Sequence, residues 1–294
     1  MKKMILAVLA VGIFATSCSS DDDNNTSTNS NLTLNLDGLE ALGSDFVYEG
    51  WIMVGGVPVT TGTFSSVTFP QTFSVNTAQL NSATAFVLSI EPAMDSDPAP
   101  AATKVLSGEF TGNAAAVNTN LVGDFSNASG QFFFRTPTDE TGTNNMNDQN
   151  GVWFGIPGTM PPAPGFTLPT LPTGWKYEGW VIGESGPLST GTFTAFNTAD
   201  DNAGSATSFG GTENAGPPVP GEDFFNNAPN GEMFPLDVSG RMIVISVEPS
   251  PDDSAAPFAM KPLLSMPAAR ATAPESHMFN QNLASLPTGM VTRN

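Results

Sequence analysis

The sequence predicts an all-β protein: two tandem antiparallel β-sandwich-like domains behind an export signal and a disordered tether. Three observations carry that prediction. Short segments of alternating apolar and polar residues are punctuated by Asn, Asp, 29 Gly and 25 Pro. No segment keeps helical periodicity with caps over three or more turns. Finally, YEGWIMVGGVPVTTGTF, Tyr48 to Phe64, returns 129 positions later as YEGWVIGESGPLSTGTF, Tyr177 to Phe193, with nine identities in 17.

In chain order, Lys2 and Lys3 precede an apolar run, Met4 to Ala15, that is too short to span a bilayer. A basic start, an apolar stretch and small residues before a cut site make a secretory signal over residues 1–17. The only cysteine, Cys18, follows directly in ATSCSSDDDNN. This arrangement resembles the lipobox of bacterial lipoproteins, and the resemblance implies that the Cys18 thiol carries the lipid. The run SSDDDNN also resembles the export signals that place Bacteroidetes lipoproteins on the outer face of the outer membrane, with a periplasm-facing anchor as the alternative. Residues 18–30 are poor in apolar side chains and are expected to form a disordered tether.

Cleavage after Ser17 would remove Lys2 and Lys3 from the nine basic residues, leaving seven against 28 acidic, a balance of −21. Such a surface repels phosphate backbones and anionic headgroups, so nucleic acid is not an expected partner; membrane contact runs through the lipid anchor. Strands are expected at Leu32–Leu36, through the first YEGW block, at Gln71–Val75, Phe86–Pro92, Val105–Phe110, Gln131–Arg135 and Val152–Phe154.

A second pair of blocks fixes the repeat. FVLSIEPAMDSDPAPAATKVL, Phe86 to Leu106, corresponds to IVISVEPSPDDSAAPFAMKPL, Ile243 to Leu263, with ten identities in 21 and an offset of 157. The second copy therefore carries 28 extra residues between its blocks, within the insertion 200–237. Six prolines between Pro157 and Gly174 disfavour central strands. The expected division is a first domain over 31–160, a Pro-rich linker over 161–166 and a second domain over 167–294.

Tyr48, Trp51, PVTTGTF (Pro58–Phe64), IEPAMDSDPAP (Ile90–Pro100) and KVLSG (Lys104–Gly108) resemble the C-terminal extracytoplasmic domain of anti-sigma-K factors. Tyr177, Trp180, PLSTGTF (Pro187–Phe193) and VEPSPDDSAAP (Val247–Pro257) resemble it again. The resemblance implies a domain type and a binding or sensing role outside the membrane. It does not extend to sigma-factor sequestration, because the cytoplasmic module and spanning helix of those proteins have no counterpart here.

The residues offer little catalytic chemistry. His277, the one histidine, sits in a loop-like PESHMFN, and no G-x-S-x-G elbow is present. Zinc and iron need clustered Cys and His, so no metal and no cofactor are expected. Asp139 to Gly151 is rich in Asp and Asn but breaks the calcium-loop pattern, since Met146 stands at its first ligand position. Glu49 with Glu178 and Glu91 with Glu248 recur at matched positions, each of the latter followed 13 residues later by Lys104 or Lys261. Their recurrence is read as a structural contact, the carboxylate accepting from loop amides or from the lysine. Trp51 and Trp180 are read as core on a central strand covered on both faces.

Function is expected instead in what the second copy adds. Asp223, Phe224, Phe225 and Phe234 of the insertion are the candidate ligand-binding residues, for an unknown envelope or extracellular ligand. The expected class is a non-catalytic binding or sensing module. Two other classes remain open: a glycan-active surface hydrolase with the insertion as active site, which requires a cleft with convergent carboxylates, and a structural or adhesive envelope spacer.

Overall fold

A computed structural model describes residues 28–201, 208–229, 231–251, 254–267 and 269–294. The signal peptide, Cys18 and most of the tether lie outside the described residues. The chain is all-β, in antiparallel sheets.

Strand β1 (Asn29–Asp37) turns Leu32, Leu34 and Leu36 inward, as period-two alternation requires. Strands β2 (Phe46–Val54) and β3 (Val57–Phe64) form a hairpin whose two connecting residues, Gly55 and Gly56, sit at φ 58° and 83°, where only glycine is unstrained. β4 (Gln71–Asn76) leads into a short helix, α1 (Thr77–Ser82), capped by the Asn76 side chain, which accepts from Ala78 N (3.0 Å) and Gln79 N (3.1 Å). β5 (Ala83–Pro92), β6 (Lys104–Thr111) and β7 (Ala114–Asn118) follow.

Next come β8 (Ser129–Phe134), β9 (Gly151–Trp153), β10 (Gly155–Ile156), β11 (Ala163–Pro164) and β12 (Phe166–Thr167). The second copy supplies β13 (Trp175–Ile182), β14 (Pro187–Phe193), β15 (Gly221–Asp223), β16 (Ile243–Pro249) and β17 (Leu263–Ser265). β18 (His277–Met278), β19 (Asn280–Gln281) and β20 (Thr288–Arg293) end the chain.

The duplicated blocks form the same four-stranded unit twice. The order β3-β2-β5-β6 in the first copy is matched by β14-β13-β16-β17 in the second. Tyr48 pairs with Phe64 and Tyr177 with Phe193, and both hairpins slip register at the same place, after Gly50 and after Gly179.

Around these units the halves interlock, which corrects the tandem division. β20, from the far end of the chain, lies between β7 and β1 and completes an eight-stranded sheet of order β3-β2-β5-β6-β7-β20-β1-β4. The sheet curls until Phe64 and Phe73 on its edge strands meet, ring centroids 5.7 Å apart. Conversely, β15 of the insertion pairs with β9, and β18 pairs with β8. Residues 161–166 separate nothing: Ala163–Pro164 pairs with β10, and Phe166 packs against Phe154, Phe193, Phe196 and Phe279. One hydrophobic core runs through both halves. The tether is also shorter than expected, because Asn29 and Ser30 already pair with Asn76 and Val75 of β4. Backbone pairing of polar side chains leaves no apolar signal to read.

Candidate functional site

The repeated residues build a pair of matched hydrogen-bond chains. Trp51 Nε1 donates to Ser89 Oγ (2.8 Å), Ser89 Oγ donates to Glu91 Oε1, and that oxygen also accepts from Ala101 N (2.8 Å). In the second copy Trp180 Nε1 donates to Ser246 Oγ (2.8 Å), Ser246 Oγ to Glu248 Oε1, and Phe258 N to the same oxygen (2.9 Å). Glu91 and Glu248 are thus ties between a strand and the loop that follows it. Burial raises the Glu91 carboxyl above its ordinary range, against the lowering pull of its hydrogen bonds to Ser89 and Ala101.

The lysines take other partners. Lys104 does not pair with Glu91 directly; its Nζ donates to Ala101 O (3.0 Å), the carbonyl of the residue whose N–H holds Glu91. Lys261 is fixed through its backbone, its N–H on Ser285 Oγ (3.0 Å) and its C=O on Asn282 Nδ2 (3.0 Å). Tyr48 and Tyr177 are buried, each donating to a carbonyl eight residues upstream, Glu40 O (2.9 Å) and Pro169 O (2.6 Å). Thr60 and Ser189 hydroxyls donate to Glu49 and Glu178.

The glycine of YEGW is forced by packing. A Cβ on Gly179 would lie 2.3 Å from the Phe154 ring and 2.4 Å from Thr190 Oγ1, and one on Gly50 would lie 2.5 Å from Thr61 Oγ1. The Tyr, Glu, Gly and Trp of the repeated motif are therefore occupied in holding the module together.

The insertion is docked on the first copy's tail through Asp223. Its fully buried carboxylate accepts from Thr138 N (2.9 Å), from Thr138 Oγ1 and from Trp153 Nε1 (2.8 Å). Gly151 makes room for it, since a Cβ there would lie 2.1 Å from Asp223 Oδ1. Burial pushes the Asp223 carboxyl up to about 7, opposed by its bonds to Thr138 and Trp153 and assisted by the charge of Glu222. Glu222 is also raised by burial while accepting from Ser208 Oγ (2.7 Å).

The expectation that Asp223 and the insertion's phenylalanines face a ligand is corrected here. Phe224 is fully buried and packs with Phe209 (5.8 Å) and Phe234 (5.8 Å), and Phe225 N donates to Phe209 O (2.9 Å). A long insertion needs its own small core to stay attached, and these rings supply it.

What the insertion offers outward is a wall. Asn214 to Pro218 stands on Trp153, so close that a Cβ on Gly216 would lie 2.3 Å from the indole. Opposite it runs Pro157 to Pro162, and Phe133, Arg135, Glu140, Asn144, Ala273 and Pro274 complete a groove of about 950 Å³. Its charges cancel locally: Arg135 Nη2 lies 2.9 Å from Glu140 Oε2, an ion pair 36% and 11% exposed. The prolines of 157–162 were legible in the sequence, but as a linker; nothing local showed that the insertion would face them.

The remaining candidates are held internally. Asp139 Oδ2 accepts from Asn145 (3.1 Å) and Asn147 (2.8 Å), and Asp148 accepts from Asn144 (2.9 Å). Among the described residues no three His, Cys, Asp or Glu side chains converge as a metal site would need. His277 lies against Phe132 and Phe134 (centroids 5.3 and 4.7 Å), with Nε2 2.8 Å from Ala271 O. No protein-family model, curated protein or solved structure matches the chain.

Proposed function

We propose that this chain is a lipid-anchored envelope protein, displayed on the outer membrane, that acts as a non-catalytic binding or sensing module. It takes its ligand in the groove between the insertion and the first copy's tail. The observation that carries the reading is that the groove of about 950 Å³ has for one wall Asn214–Pro218, part of the insertion that only the second copy possesses. The recurring carboxylates, which a hydrolase would need free and convergent, are instead tied to hydroxyls and loop amides.

The resemblance to anti-sigma-K extracytoplasmic domains agrees with a sensing role, and sigma-factor sequestration forms no part of the proposal.

The test is affinity capture from solubilised native envelope with the full chain and its Ala215→Trp variant, which fills the groove from an exposed position. Material retained by the parent and lost by the variant supports the reading. Equal retention by both refutes the groove as the site.

A further inference from the structure

The two copies meet at a second cavity, apart from the groove and independent of the function proposed for it. It is walled by the same stretch of sequence used twice. Pro92 and Ala101 of the first copy align with Pro249 and Phe258 of the second, and all four residues line one space of about 350 Å³. Ile90 and Phe258 give it a buried apolar floor, and half-buried Leu42 and Phe46 give it an apolar rim. Neither copy alone contains it, so the duplication makes a site that a single module lacks.

From this geometry we infer that the inter-copy cavity is a binding site for a small apolar molecule that is uncharged or cationic. The volume of about 350 Å³ lies within the usual range of ligand pockets. The charge preference follows from the lining. Glu40 and Glu248 border the cavity, and the chain as a whole carries −19. An anionic ligand would have to shed its hydration beside Glu40 and in the field of a strongly acidic chain, whereas a neutral or cationic one would not. Free fatty acids and aryl sulfonates are thereby disfavoured against neutral aromatics and alkylammonium chains.

Two dyes of nearly the same shape test this directly: neutral N-phenyl-1-naphthylamine and anionic 8-anilino-1-naphthalenesulfonate, each titrated fluorimetrically into the full chain. The neutral dye is expected to saturate at one site per chain and to bind at least about tenfold more tightly than the sulfonate. Ala41→Trp, at an exposed position on the rim, should weaken the neutral dye by at least about tenfold, while Ala215→Trp in the groove should leave it unchanged. Methyl spectra supply a readout independent of the variants: on adding the neutral dye, Ala41, Ala101 and Ala102 should shift and Ala215 should not. Equal affinity for both dyes, undiminished binding by Ala41→Trp, or shifts confined to Ala215 would each overturn the assignment.

Discussion

Replacing Asp223 with Asn tests how the insertion is held. The Asp223 carboxyl is fully buried, and burial raises it from 3.8 to about 7 in the folded chain. A raised acid binds its proton more tightly folded than unfolded, so its contribution to stability is complete below pH ~4 and is lost as pH rises toward 7. The loss is about three pH units at 1.36 kcal/mol each, or roughly 4 kcal/mol. Asn cannot titrate, but its amide must turn one N–H toward either Trp153 Nε1–H or Thr138 N–H, both of which donate to Asp223. One hydrogen bond is therefore lost, at about 1–3 kcal/mol.

The two effects have opposite pH dependence. Asp223→Asn should be less stable than the parent at pH 4 by about 1–3 kcal/mol, and as stable or more stable at pH 8. Urea denaturation followed by tryptophan fluorescence between pH 4 and 8 gives both curves, and they should cross. A variant destabilised by one constant amount over the whole range would refute the argument. Glu91 and Glu222, also raised by burial, slope in the same direction as Asp223 and remain in both chains.

Three further outcomes follow from the packing. Gly179→Ala forces a methyl to 2.3 Å from the Phe154 ring and should cost about 1–3 kcal/mol in thermal or urea unfolding. Truncation after Pro287 removes β20 and leaves β1 and β7 each with one open edge; circular dichroism should show loss of the cooperative transition, and Arg293→Ala alone, which removes donors to Leu80, Ala83 and Gly112 carbonyls, should cost about 2 kcal/mol. Cys18→Ala should release the chain from the membrane fraction and abolish labelling by radioactive palmitate, and a variant still labelled would place the lipid elsewhere.

The sequence exposed what is local and concealed what is distant. Period-two alternation marks β1 and β4 because one face of each meets the core, and the repeat reports a shared register down to the slip after Gly50 and Gly179. β20 escapes such reading: in TGMVTR only Val291 is fully buried, and the strand's partners lie 170 or more positions upstream. For the same reason the contact of Asp223 with Thr138, 85 positions away, leaves no trace in either segment. The insertion's phenylalanines read as ligand-binding candidates in sequence because nothing nearby shows that Phe209, Phe224 and Phe234 pack on one another. The groove combines both failures, since its walls come from a proline run read as a linker and an insertion read as the site itself.

The groove reading meets its most direct test in photo-crosslinking on intact cells, with p-benzoylphenylalanine at exposed Met160 on the groove lining and, as control, at exposed Met94 on the Pro92–Thr103 loop. A discrete adduct at Met160 that is absent at Met94 is the predicted result. Adducts that are equal at both positions, or found only at Met94, would contradict the groove as the place where this protein meets its ligand.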